Sequence, residues 1–142
     1  MKNFFVCLIL AVAVISLSSC TTTSNSFRQK SKSITALSGE KTRIGQTWHI
    51  NNDCSHADYP ATHIVEQPKH GRLQIVHEPV FPNAAGKLAK CRTVKVGGVV
   101  GYYTSEPGYI GSDRIVLSSP YGDGKIEETV MNVNVRRLLR SG

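Results

Sequence analysis

The sequence predicts an all-β domain built as an antiparallel sandwich of about seven short strands. Three observations carry that expectation. From residue 41 onward the apolar residues come in short runs broken by Gly, Pro and Asn, no window holds a 3.6-residue period for three turns, and period-two alternation recurs in several of the runs. Short strands at this spacing, with turn signals between them, are the pattern of two packed sheets.

The first 20 residues form a separate unit. Lys2 gives a basic start, residues 4–17 are almost wholly apolar, and Leu17-Ser18-Ser19-Cys20 closes the run. About 14 apolar residues are too few to cross a hydrocarbon core of roughly 30 Å comfortably, so the segment reads as a cleaved export signal. Its ending resembles the lipobox of bacterial lipoproteins. That resemblance implies cleavage after Ser19 and attachment of diacylglycerol to the Cys20 thiol. Thr21 in place of Asp implies, in enteric-type lipoproteins, an outer-membrane destination.

Processing changes the charge and the cysteine arithmetic. The chain carries +7, of which Lys2 contributes one, so the processed form carries +6. An exported basic protein near a membrane meets anionic lipid, anionic glycan or acidic protein before it meets nucleic acid, which is not an expected partner. Of four cysteines, Cys7 leaves with the signal and Cys20 takes the lipid, so Cys54 and Cys91 are the expected disulfide in an oxidising compartment. A loop of roughly 38 residues corresponds to about 4 kcal/mol in the chain-entropy account.

Residues 20–40 are rich in Ser and Thr with few large apolar side chains, and are expected to be a lipidated, flexible tether. The sandwich domain is expected over 41–137 and a short basic tail over 138–142. Strands are expected at 44–50, 62–66, 72–78, 92–96, 99–104, 114–118 and 125–135. In the last, Val133 and Val135 face inward while Asn132 and Asn134 face out; Val130 is out of phase, which suggests a bulge near Met131. Gly71 fits the turn after Pro68, Gly97-Gly98 reads as a two-residue hairpin, and Tyr121-Gly122-Asp123-Gly124 as the turn before the last strand. The Asn83–Gly86 region reads as an exposed loop and the first choice for a binding loop.

The stretch from Val94 to Ile115, with Tyr102-Tyr103, Glu106-Pro107-Gly108-Tyr109 and Gly111-Ser112-Asp113, resembles bacterial cadherin-like and immunoglobulin-like surface domains. Gln67-Pro68-Lys69-His70-Gly71 and Asn132-Val133-Asn134-Val135 extend that resemblance over residues 62–135. It implies an immunoglobulin-like sandwich and says little of activity, since the scaffold hosts many functions. The chain departs from it in having a single copy, and in Arg114 where an aromatic often enters the strand.

All five histidines fall seven apart, at 49, 56, 63, 70 and 77. Pro60, Pro68 and Gly71 forbid the helix that would align them, and an odd spacing alternates faces on a strand. A metal site would need His49, Asp53 and His56, or His63 and His77, to converge, since zinc takes three or four such ligands. No metal or other cofactor is expected. Asp113 is read as an acceptor for backbone N–H groups that fixes the turn after Gly111, in preference to a calcium ligand, because calcium needs six or more oxygens. No Gly-x-Ser-x-Gly setting surrounds the serines, and no enzymatic activity is expected. Only one of Tyr102 and Tyr103 can be core. Tyr103 as the outward ring, with Tyr59, Phe81 and Tyr109 and nearby cations, gives a candidate patch for a sugar or a protein partner. The expected function is a noncatalytic envelope lipoprotein module that binds or supports another envelope component. The alternatives are a small periplasmic metal-dependent hydrolase, and an inhibitor or accessory subunit of a larger envelope protein.

Overall fold

A computed structural model of the chain describes residues 27–120 and 124–139. Its strands are β1 Phe27–Leu37, β2 Lys41–Thr47, β3 His63–Glu66, β4 Gly71–Val80, β5 Val96–Ser105, β6 Gly111–Pro120 and β7 Ile126–Arg136, with a 3-10 helix, Gly86–Thr93, between β4 and β5. One sheet has the order β1-β7-β6-β3 and the other β2-β5-β4. All pairings are antiparallel except β1 with β7, which run parallel from Phe27↔Ile126 to Leu37↔Arg136. The signal segment, Cys20 and the turn residues 121–123 lie outside the described residues, as does the end of the expected tail.

The main core lies between the sheets. Ala36 on β1, Ile115 and Leu117 on β6, and Met131, Val133 and Val135 on β7 meet Ile44 on β2 and Tyr103 on β5. Complete burial of a Val, Leu or Ile side chain stabilises by about 1.5–3 kcal/mol each, so this set is the principal source of stability. A second, smaller cluster of Val80, Val96 and Val100 lies on the other face of the three-stranded sheet, with Trp48, Ile50, Val76 and Tyr102 packed against it. Trp48 lies just past β2, and its indole N–H donates to Asn83 Oδ1 at 3.1 Å. The Cys54–Cys91 disulfide, with its Cα atoms 5.2 Å apart, ties the segment after β2 to the 3-10 helix.

Three local expectations need correction. The span read as a tether contains β1. Its Ser- and Lys-rich composition belongs to an edge strand with one exposed face, while Ile34 and Ala36, two apart, supply the inner face. The pairing partner is remote in sequence, so composition alone carried no sign of it. Residues 92–96 do not form a separate strand: the 3-10 helix reaches Thr93, and β5 runs unbroken through Gly97-Gly98, which pair with Pro79 and Glu78. Those glycines serve close approach instead of a turn, since a Cβ on Gly98 would stand 2.5 Å from Val80 Cγ2. β7 keeps an unbroken register with β6, so there is no bulge at Met131; Val130 faces the outer side opposite Val116, and both are buried. The Asn83–Gly86 region is an exposed loop, with Asn83, Ala85 and Gly86 open to solvent, held in place by buried Ala84, whose carbonyl accepts from Arg92.

Candidate functional site

The two ends of the sandwich differ. At one end Asp113, on the inner face of β6, accepts hydrogen bonds from the backbone N–H groups of Lys69 and His70 at 2.9 Å each and from its neighbour Arg114. It also accepts the Tyr103 hydroxyl, 3.0 Å away on the opposite sheet. The carboxylate thus fastens the β3–β4 turn and both sheets together. Desolvation pushes the Asp113 carboxyl up, but the three backbone N–H donors and the phenol outweigh it and hold the pKa below the usual carboxylate range. Burial, then the carboxylate beside it, push the Tyr103 phenol far upward. This site is a structural lock with its donors and acceptors matched. Tyr109 stacks on His70 beside it, with ring centroids 4.2 Å apart.

At the opposite end the sheets part around a cavity of about 160 Å3, lined by Lys32, Thr47, Thr62, Val99, Ser119 and Thr129 among others. Lys32 is exposed as a residue, yet its ammonium reaches between the sheets and donates to the Ile44 carbonyl. That carbonyl lies where the β2–β5 register shifts between Arg43 and Gly45, so the irregular backbone has a cation beside it. Partial desolvation lowers the Lys32 pKa. Glu127, also on the inner face, has its Oε2 2.8 Å from Lys30 Nζ. That oxygen is buried and receives no aligned hydrogen bond.

A third feature is the outer face of the three-stranded sheet. By register Lys41 and Arg72 flank Thr104, while Arg43 and Gln74 flank Tyr102, so three cations share one face with Tyr102. The Lys41 ammonium lies 4.2 Å from the Tyr102 ring centroid. Tyr102 donates its hydroxyl to Glu78 at 2.7 Å, a bond that raises the pKa of the phenol, and Glu78 stands 3.9 Å from Arg43. Glu78 offsets one of the three positive charges and leaves the face basic.

The expected aromatic patch is not brought together as drawn from the sequence. Tyr103 is completely buried, and Tyr102 is the outward ring, because Tyr103 lies in phase with Leu73 and the main core. Tyr59 stacks on His77 at 4.1 Å with His56 beside it, whereas Phe81 sits under Lys95, 5.5 Å from its ring centroid. Tyr109 belongs to the lock end. The alternation rule holds, and its phase is set by Asp113 across the core, which accepts the Tyr103 hydroxyl.

Among the described residues no group of three His, Cys, Asp or Glu side chains is disposed to hold a metal. His49 pairs with Asp58 at 2.6 Å, and Asp53 caps its own turn through Ser55, whose hydrogen bonds lower the Asp53 pKa. His63 and His77 stand on strands of different sheets and are not cross-strand neighbours. Among the described residues no helix is long and apolar enough to cross a membrane.

No protein-family model matches the chain, and no curated protein matches it either. Among solved structures, the solution structure of amebosin is similar at 17% identity, over 78% of this chain and 98% of that one, with a TM-score of 0.37. A likeness of that degree carries no argument about fold or function.

Proposed function

We propose that this protein is a noncatalytic module of the bacterial cell envelope, held by a lipid on Cys20 at the outer membrane, that binds an acidic envelope component through the outer face of its three-stranded sheet. The observation that carries this reading is the grouping of Lys41, Arg43 and Arg72 on one sheet face with Tyr102, whose ring lies under the Lys41 ammonium. Cations around an aromatic face suit an anionic glycan, whose sugar rings stack while its carboxylates pair. The lipobox resemblance of Leu17-Ser18-Ser19-Cys20 and the Cys54–Cys91 disulfide support export. The cadherin-like motifs, with Asp113 and Tyr103 at a sheet-to-sheet lock, support an immunoglobulin-like variant of the sandwich.

The test is binding to an immobilised anionic polysaccharide such as polygalacturonate, with neutral dextran as control. Retention on the acidic matrix that falls with salt is expected, since exposed charges are screened within about 8 Å at physiological ionic strength. The combined variant Lys41→Gln, Arg43→Gln, Arg72→Gln should elute at markedly lower salt with an unchanged melting temperature. Equal retention of the variant would refute the assignment of this face. Separately, fatty-acid labelling in cells should mark the wild type and leave Cys20→Ser unlabelled.

A further inference from the structure

The cavity at the open end of the sandwich has a composition that core packing does not require. Along the inner faces the lock end is filled by Tyr103, Val133 and Val135, whereas the other end replaces such residues with Lys32, Thr47, Ser119 and Thr129. Thr47 and Thr129 are inward by register, opposite Val99 and Leu117. Neither hydroxyl has a hydrogen-bond partner among the described residues, and neither is a sealed polar atom, so both are open to whatever fills the space. The Lys32 ammonium has three N–H donors, and one goes to the Ile44 carbonyl. Glu127, the carboxylate on the same wall, is engaged by Lys30, which leaves Lys32 without an anionic partner among the described residues. Apolar contact is supplied by Ile75, Val99, Leu117 and Met131. The volume, about 160 Å3, matches a molecule of roughly a dozen heavy atoms, below the usual range for drug-sized ligands.

We propose that this cavity binds a small hydroxylated carboxylic acid of the uronic-acid class, with its carboxylate on Lys32 and its hydroxyls on Thr47 and Thr129. A cation with unspent donors selects the acid group, and the two hydroxyls act as donor or acceptor as a sugar hydroxyl demands. Gln46 borders the cavity through its backbone, since by register its side chain faces the other side of the sheet, where its amide is engaged by Arg43 and the Phe81 carbonyl. The inference does not rest on the basic outer face, which lies on the other side of the three-stranded sheet.

The experiment is titration of the purified protein with D-glucuronate, followed by heteronuclear NMR and calorimetry, with D-glucose and acetate as controls. At about 10 mM ligand, tenfold above a millimolar Kd, shifts are expected at the amides of Thr47, Ser119 and Thr129. Each control should bind at least tenfold more weakly. Lys32→Met should lose at least tenfold in affinity, while the combined Lys41, Arg43 and Arg72 variant should keep wild-type affinity. Thr129→Leu, which fills the cavity with an apolar side chain, should abolish binding if Lys32→Met fails to fold. No shift at the cavity amides, shifts confined to the Tyr102 face, glucose binding as tightly as glucuronate, or glucuronate binding undiminished in the variants would each overturn the proposal.

Discussion

Asp113 and Tyr103 join the two sheets through a buried hydrogen bond between carboxylate and phenol. The carboxylate accepts four hydrogen bonds while mostly hidden from solvent. Its folded pKa is depressed, so its contribution is fully present above the unfolded value near 3.9 and is lost as pH falls through the lower folded value. Tyr103 is raised, so its contribution is complete below about pH 10 and is lost as pH climbs toward its folded value. Stability should therefore decline at both extremes for reasons traceable to one contact. Asp113→Asn should destabilise the domain by about 2–3 kcal/mol at pH 7, since hydrogen bonds to charged groups are worth about 1.5–3 kcal/mol and an amide cannot accept at both ends. Denaturant unfolding from pH 7 to 3 should show a shallower decline for that variant. Tyr103→Phe, which keeps the ring and removes the hydroxyl, should cost about 1 kcal/mol and flatten the alkaline limb. An unchanged acid limb in Asp113→Asn would remove Asp113 from this role.

At the scale of elements, β1 is the test of how the sheet is completed. Its ladder of Cα partners with β7 runs the length of the strand, and Ala36 is 1% exposed. Ala36→Asp should cost more than about 3 kcal/mol, because an unpaired charge would enter the core beside Val133 and Val135. Ser31→Asp on the exposed side should stay within about 0.5 kcal/mol of wild type. Comparable melting temperatures for the two variants would return residues 27–37 to the status of a tether. The disulfided segments form the other element-scale device. Cys54 sits in the left-handed region at φ 70° within a turn closed by its N–H donating to the Asn51 carbonyl. A non-glycine residue there costs on the order of 1 kcal/mol and persists where the surroundings fix it; here those surroundings include the bridge to Cys91. Cys91→Ser should lower stability by about 2–5 kcal/mol in chemical denaturation, with oxidised and reduced wild type separated by a similar amount.

At the scale of the molecule, the sandwich has a sealed end, an open end and a basic outer face, and these come from different arrangements of one period-two rule. Where inward positions are apolar or matched, as at Tyr103 and Asp113, the end closes. Where they are Thr, Ser and Lys, a cavity remains. The loss of polysaccharide retention on neutralising Lys41, Arg43 and Arg72 belongs to this scale, because those residues come from two strands far apart in sequence and act as one field.

The sequence by itself determined the all-β class, the short-strand rhythm and the rule that Tyr102 and Tyr103 face opposite ways. Each of these is local, since side-chain alternation and turn chemistry need no knowledge of what lies opposite. Only the tertiary structure decided which tyrosine was inward, that residues 27–37 are a strand, that Gly97-Gly98 lie inside β5, and that Lys32 points into a gap between the sheets. These depend on partners remote in the chain: β7 supplies the ladder that orders β1, Val80 fills the space over Gly98, and Asp113 across the core fixes the phase of Tyr103. Pairing and phase are set by burial against a second surface, and a sequence displays only one surface at a time.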